Sequence, residues 1–238
     1  MSTYTGKPLK SYNAVVFDLF GTLIDFLPDS MYEENSRRMA SALGVPAENF
    51  RRAWLETALE RNLGRFESTE GDIMQVCARI GYTPDRSKVA EAVEIRLEIV
   101  RSNHEPRDEA VDTLTALRSL GLKTGIVSDT LFETVRIWPE TAFAPLFDAA
   151  VFSCAVGICK PDPRIYLHLC RLLSVEPEAC LYVGDGSSKE LTGAGNVGMT
   201  PVLIRVGYDS IFDERRPDAL EWKGAVISHL SEILELCS

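Results

Sequence analysis

The stretch that decides the fold is Ala14-Val15-Val16-Phe17-Asp18-Leu19-Phe20-Gly21-Thr22-Leu23. Four apolar residues run without polar alternation, end on a carboxylate and enter a glycine-containing turn. A run of this length and character suits a strand buried on both faces, as in a parallel sheet covered by helices. The same grammar recurs four times further on. Thr124 to Val127 leads into Ser128-Asp129, and Ala150 to Phe152 into a loop reaching Lys160. Leu181 to Val183 leads into Gly184-Asp185-Gly186, and a last run covers Pro201 to Val206.

Helical patterns lie between these runs. Asp108-Glu109 opens one, with Val111, Leu114, Leu117 and Leu120 at helical spacing and Gly121 as its stop. Pro163 to Leu173 forms another, and Leu230, Ile233 and Leu234 mark the last. Strand and helix in alternation predict an α/β fold with a doubly wound parallel sheet.

Residues 26–107 read differently, with helical stripes and no convincing strand. Trp54, Leu55, Ala58, Leu59 and Leu63 form one stripe, and Ile73, Met74, Val76, Cys77 and Ile80 a second. Val89, Ala92, Val93, Arg96, Leu97 and Val100 form a third, with an arginine among apolar positions. Each stripe is expected to pack into a core. Together they predict an all-helical insert at 26–107, with 1–25 and 108–238 forming the sheet domain.

Composition sets the outer bounds. The chain has 238 residues, 45% hydrophobic and 25% charged, which suits a globular protein with a substantial core. Its net charge of −10 argues against a protein that binds a nucleic-acid backbone. No apolar run approaches the ~20 residues of a bilayer span, and Met1 to Ser11 lack the apolar segment of a signal peptide. A cytoplasmic protein acting on a small molecule, without nucleic-acid or membrane partners, is expected; oligomeric state is left open. The six cysteines show neither CxxC pairs nor histidine spacing, so free thiols are expected rather than zinc or disulfides.

In doubly wound sheets, ligands bind beyond the carboxyl ends of the strands. Those ends carry Asp18, Ser128, Lys160 and Asp185: two carboxylates, a hydroxyl and an ammonium. Gly193-Ala194-Gly195-Asn196-Val197-Gly198 matches a dinucleotide-loop pattern but follows a helix and precedes a strand, so it reads as a helix end. His104, His168 and His229 are scattered along the chain, away from the strand ends, and none is expected to be catalytic.

Asp18-Leu19-Phe20-Gly21-Thr22-Leu23, the strand ending in Ser128, Lys160-Pro161-Asp162-Pro163 and Val183-Gly184-Asp185-Gly186-Ser187-Ser188-Lys189-Glu190 resemble, in order and spacing, the four motifs of the haloacid dehalogenase (HAD) superfamily. The resemblance implies a hydrolase with a Rossmann-like core and a helical cap after the first motif. It implies Asp18 as nucleophile, Ser128 binding an oxygen of the transferring group and Lys160 offsetting negative charge. Thr22 would fix the loop, and Glu190 would orient the lysine or a metal-bound water. In metal-using members, Asp18, the carbonyl of Phe20 and Asp185 would hold Mg²⁺, a hard cation suited to oxygen ligands.

The motifs pull two ways. Phosphatases of this family usually carry an acid where Phe20 stands, and phenylalanine transfers no proton; Asp25 and Glu33, nearby in sequence, are candidate substitutes. An aromatic there is typical of haloacid dehalogenases, which use no metal and place a cap arginine near the halide. Arg51 and Arg52 are the candidates for that role. Dehalogenases, however, replace the metal-binding acid and carry Ser-Asn where this chain has Ser128-Asp129. Asp18, Asp185 and Glu190 together call for a cation, because unpaired like charges are costly to bury. Lys189 or a cap arginine could supply one instead of a metal. The favoured reading is a Mg²⁺-dependent phosphatase of a small phosphorylated metabolite. The alternatives are a metal-free 2-haloacid dehalogenase and a pseudo-enzyme that binds phosphate or a partner. A phosphonatase-like enzyme would need a cap lysine, and Lys88 is the single one in the insert.

Overall fold

The computed structural model describes residues 12–205 and 216–237. Six strands form one parallel sheet: β1 (Ala14–Phe17), β2 (Lys123–Ser128), β3 (Ala149–Phe152), β4 (Cys180–Gly184), β5 (Thr200–Ile204) and β6 (Ala225–Ile227). Their order is β3-β2-β1-β4-β5-β6. The chain therefore starts in the middle of the sheet and winds outward in both directions. Phe17 sits level with Ile126 on one side and Val183 on the other. Asp18 leaves the sheet at this switch point, where a crevice opens.

All five expected strands are present. β6 was not foreseen: it is three residues long at the sheet edge, and Ala225 and Val226 are exposed. Its run Ala225-Val226-Ile227 is apolar but short, and at the sheet edge it is not buried on both faces as the central strands are. Val206 and the segment Met1 to Ser11 lie outside the described residues.

Alternate residues of each strand face opposite sides. Val15 and Phe17 pack with Ile126, Leu114 and Leu117, the last two from helix α6 defined below. Ala14 and Val16 pack on the other face with Ile165, Leu169 and Leu191. The helices are α1 (Asp29–Leu43), α2 (Ala47–Glu56), α3 (Ala58–Asn62), α4 (Thr69–Arg79), α5 (Arg86–Ser102) and α6 (Ala110–Ser119). Beyond β2 follow α7 (Phe132–Ile137), α8 (Ser153–Val156), α9 (Pro163–Leu173), α10 (Glu190–Asn196), α11 (Pro217–Glu221) and α12 (Ile233–Leu236). No described helix is long and apolar enough to cross a membrane. The described cysteines are all free.

Of the six helices between β1 and β2 in sequence, α6 packs on the sheet, while the segment of α1 to α5 has its own core of Met39, Leu43, Phe50, Ile73, Val93 and Leu97. Ile137 of α7 joins that core, so the helix after β2 docks the insert. The stripe starting at Trp54 does not behave as one helix face. The helix breaks at Thr57, which leaves Leu55 and Leu59 at 60% and 64% exposure. Met74 of the second stripe also faces out. The third stripe is buried throughout, Arg96 included.

Candidate active site

The turn after β1 is built on backbone hydrogen bonds. The amides of Thr22, Leu23 and Ile24 all donate to the Leu19 carbonyl, and the Gly21 amide donates to Ile24 O at 2.8 Å. Gly21 has φ +79°, and a Cβ there would stand 2.5 Å from Asp185 Oδ2. The turn thus needs glycine for conformation and for room. It brings the first and fourth motifs into contact.

Lys160 ties the floor of the crevice together. Its Nζ donates to Asp18 Oδ1 and to Glu190 Oε2, both at 2.6 Å, and all three side chains are buried. Glu190 is further held by the Tyr182 hydroxyl at 2.8 Å and the Gly186 amide at 3.0 Å. A Cβ on Gly184 would collide with Glu190 Oε1, so that glycine makes room for the carboxylate. Asp129 accepts from the Lys160 amide at 2.9 Å and so positions the lysine's backbone rather than its ammonium.

Burial pushes the Asp18 carboxyl up to about 6; the Lys160 charge works against the rise and the Asp185 charge adds to it. Burial likewise raises Glu190, and the Asp18 charge adds to that. Burial alone would lower Lys160, but the charges of Asp18 and Glu190 outweigh it and hold the ammonium well above its usual range. Lys160 is therefore a fixed cation, not a proton carrier.

Three buried polar atoms of the motif residues make no hydrogen bond: Thr22 Oγ1, Ser128 Oγ and Asp185 Oδ2, the last with only the Arg216 charge near it. Buried groups of this kind are normally paired. Asp18, Asp185 and Glu190 each offer an oxygen, all within 4.8 Å of one another. The donors are all hard oxygens and Asp185 Oδ2 makes no hydrogen bond, so the residues fit a divalent cation such as Mg²⁺. Glu190 fits less well as a direct ligand, because both its oxygens already accept hydrogen bonds.

A cavity of about 610 Å³ rises from Asp18, Phe20, Asp129 and Lys160 into the helical insert. Arg51 and Arg52 part company there. Arg51 lines the cavity and pairs with Glu48 at 3.3 Å, whereas Arg52, one helical step on, is exposed and outside the lining. Trp54 lines the cavity as well. Of the two candidate substitutes for the acid missing at Phe20, Glu33 reaches the cavity wall; Asp25 is exposed and paired with Arg107 at 2.9 Å. Lys88 and Lys189 are exposed and outside the lining.

Two residues enter that the sequence did not single out. Arg216 lines the cavity with its Nε 3.7 Å from Asp185 Oδ2, taking the place expected of Lys189 or a cap arginine. It is distant from the motifs in sequence, and no local pattern marks it. His104 comes next to the first motif in space. Its ring stands edge-on to Phe20 with centroids 5.7 Å apart, and it lines the cavity. Its Nδ1 donates to the Val100 carbonyl at 2.7 Å, which leaves Nε2 as a buried acceptor without a partner. Burial pushes its pKa down, so the ring is held neutral.

The comparisons with known proteins fit this geometry. Residues 12–198 match the haloacid dehalogenase-like hydrolases. The chain is 30% identical to a glyceraldehyde 3-phosphate phosphatase of Methanopyrus kandleri, covering 86% of this chain and 89% of that one. It is 27% identical to (S)-2-haloacid dehalogenase 1 of a Pseudomonas species, covering 80% and 83%. Among solved structures, a 2-haloacid dehalogenase from Pseudomonas syringae superposes with a TM-score of 0.67 at 25% identity, covering 94% of this chain and 97% of that one. A HAD phosphatase from Thermococcus onnurineus gives 0.64 at 24% identity over the same shares, which speaks for the fold. Phosphatases and dehalogenases stand side by side among these relatives, and the chain belongs to the family they share, the haloacid dehalogenase-like hydrolases.

Proposed function

We propose that this hydrolase is a Mg²⁺-dependent phosphatase that cleaves a small phosphorylated metabolite through an aspartyl intermediate on Asp18. The observation that carries this reading is Asp185: a buried carboxylate beside Asp18 with one oxygen free of any hydrogen bond. Asp18, Asp185 and the Phe20 carbonyl are the groups that would hold the ion, and its charge would offset that of the transferring phosphoryl group. The helical insert at 26–107 acts as a cap that excludes water while the intermediate forms.

The residues then have separate tasks. Asp18 attacks phosphorus; its Oδ–P bond forms as the bond to the alcohol oxygen breaks. Lys160 holds the attacking carboxylate in place and lowers its charge. Ser128 Oγ, which makes no hydrogen bond, donates to a phosphoryl oxygen, and Thr22 fixes the loop after β1. Because Phe20 carries no proton, the departing oxygen takes one from water, and esters of acidic alcohols turn over fastest. Water next attacks the phosphorus, the Asp18–phosphorus bond breaks, and inorganic phosphate and free Asp18 result.

A second reading has its own observation. Arg216, 3.7 Å from Asp185, is a built-in cation of the kind a metal-free dehalogenase would need. Phe20 suits that chemistry too, since halide leaves without a proton. One experiment separates the two. Phosphate release is followed across a monoester panel with Mg²⁺ and with chelator, alongside halide release from short 2-haloacids. Phosphate release that chelator stops supports the phosphatase. Halide release that chelator spares, without phosphate release, overturns it.

A further inference from the structure

The roof of the cavity holds a positive charge that the chemistry at the floor does not use. Arg61 of α3 is only 3% exposed and contributes to the cavity wall. Its guanidinium lies 3.9 Å over the Trp54 ring. Nη2 donates to the Trp54 carbonyl at 2.6 Å and Nε to Thr57 Oγ1 at 3.2 Å. Nη1 is buried without an acceptor, and no carboxylate of the described residues lies within ion-pair distance of Arg61. A buried cation held by neutral groups alone is costly.

Two acids are close enough to act on Arg61, and neither neutralises it. Glu133 is committed to Arg96, whose Nε donates to it at 2.6 Å. Asp72 is fully buried, and neither of its oxygens has a donor. Burial, with the Glu133 charge adding, pushes its carboxyl up to about 7, so a large share of it is neutral at neutral pH. Two guanidiniums thus face one committed carboxylate. Arg51 at the same cavity is no substitute: it already pairs with Glu48 at a half-exposed site, where such pairs are worth little.

We infer that Arg61 receives a second anionic group of the substrate, a carboxylate or a further phosphate, remote from the atom that Asp18 attacks. The substrate class narrows from phosphorylated metabolites in general to those with a second negative charge. Arg61 is here a specificity and positioning residue, and the inference rests on the phosphatase reading only for what reacts at the floor. The cavity, at about 610 Å³, has room for such a two-headed molecule.

The test uses non-hydrolysable probes and isothermal titration calorimetry, so that no turnover is needed. The probes are a short phosphonocarboxylate, a bisphosphonate of equal length and the matching neutral alkylphosphonate, each titrated in the presence of Mg²⁺. The wild type is expected to bind one of the two-headed probes at least about tenfold tighter than the neutral one, as befits a hydrogen bond to a charged group. Which of them wins identifies the second group as carboxylate or phosphate. In Arg61→Met the gap closes, and in Arg61→Lys, which keeps the charge but not the fork, part of it remains. Equal affinities in the wild type, or a gap that survives Arg61→Met, overturn the assignment. Should Arg61→Met fail to fold, the wild-type comparison and Arg61→Lys decide. Phosphoester turnover without any affinity gap would sink the Arg61 assignment alone. A gap without phosphoester turnover would sink the phosphatase reading alone.

Discussion

The floor and the roof of the cavity are built on opposite plans. The floor is acidic and tightly bonded: Asp18, Asp185 and Glu190 surround Lys160, which makes two hydrogen bonds of 2.6 Å. Asp18 and Asp185 stand at the ends of the adjacent strands β1 and β4, so the sheet sets their spacing, and Lys160 binds Glu190 at the start of α10 to the same floor. The roof is basic and loosely satisfied: Arg61 and Arg96 lie near Trp54, and Asp72 has no donor for either oxygen. Its residues come from four helices whose positions depend on how the insert packs. A rigid floor suits chemistry that many substrates share, while a roof on separate helices suits the choice among them.

If the floor does the chemistry, its central carboxylate is the most damaging residue to change. Asp18→Asn keeps the size of the side chain and a weaker acceptor for Lys160, but loses the nucleophile. Phosphate release is expected to fall by about four orders of magnitude or more, with circular dichroism unchanged. Near-normal turnover in a correctly folded variant would remove Asp18 from the mechanism.

The joint between the two plans gives the next effect. Arg96 of α5 and Glu133 of α7 form a buried ion pair at 2.6 Å, and Ile137 of α7 packs in the core of the insert. Glu133→Ala leaves the Arg96 guanidinium buried and unpaired, which costs about 3–5 kcal/mol. Urea unfolding should report that loss, and the double variant with Arg96→Ala should recover part of it. If the double variant is as unstable as the two single losses added, the pair is not coupled and α7 does not clamp the insert in this way.

The two regions also differed in how far the chain alone disclosed them. The floor was legible because a two-face-buried strand leaves a four-residue apolar run, and its next residue falls by necessity at the carboxyl end. Asp18 and Asp185 follow their strands in that manner, Ser128 ends β2, and Lys160 comes from the loop between α8 and α9. The roof was not legible, because helical stripes tell which side is apolar but not which helix meets which. Arg96 showed as a polar oddity in a buried stripe, yet its partner lies 37 residues away. Arg61 sat inside a stripe that the break at Thr57 divides, and Asp72 looked like one more acid in the first turn of α4. His104 needed the return path of the insert to reach Phe20, and Arg216 follows a segment outside the described residues.

Asp72 gives the smallest of these effects and the one that most sharpens the contrast. In the unfolded chain its carboxyl titrates near 3.8; in the folded protein burial raises it to about 7. The folded state therefore binds a proton more tightly than the unfolded state does. Stability is full below about pH 4 as far as this group is concerned, and falls as pH rises from there to about 7, where the folded carboxyl ionises. Above that the charged form persists with Glu133 beside it and no donor to either oxygen. Asp72→Asn removes the charge and keeps the shape, so it should be more stable than the wild type at pH 8 by about 1–3 kcal/mol. The advantage should shrink towards pH 5, where the wild-type carboxyl is itself neutral. Thermal melts at the two values measure it directly. An Asn variant that is less stable at pH 8 would mean that the ionised carboxylate is paired with Arg61, and the roof would then carry no spare positive charge for a substrate to meet.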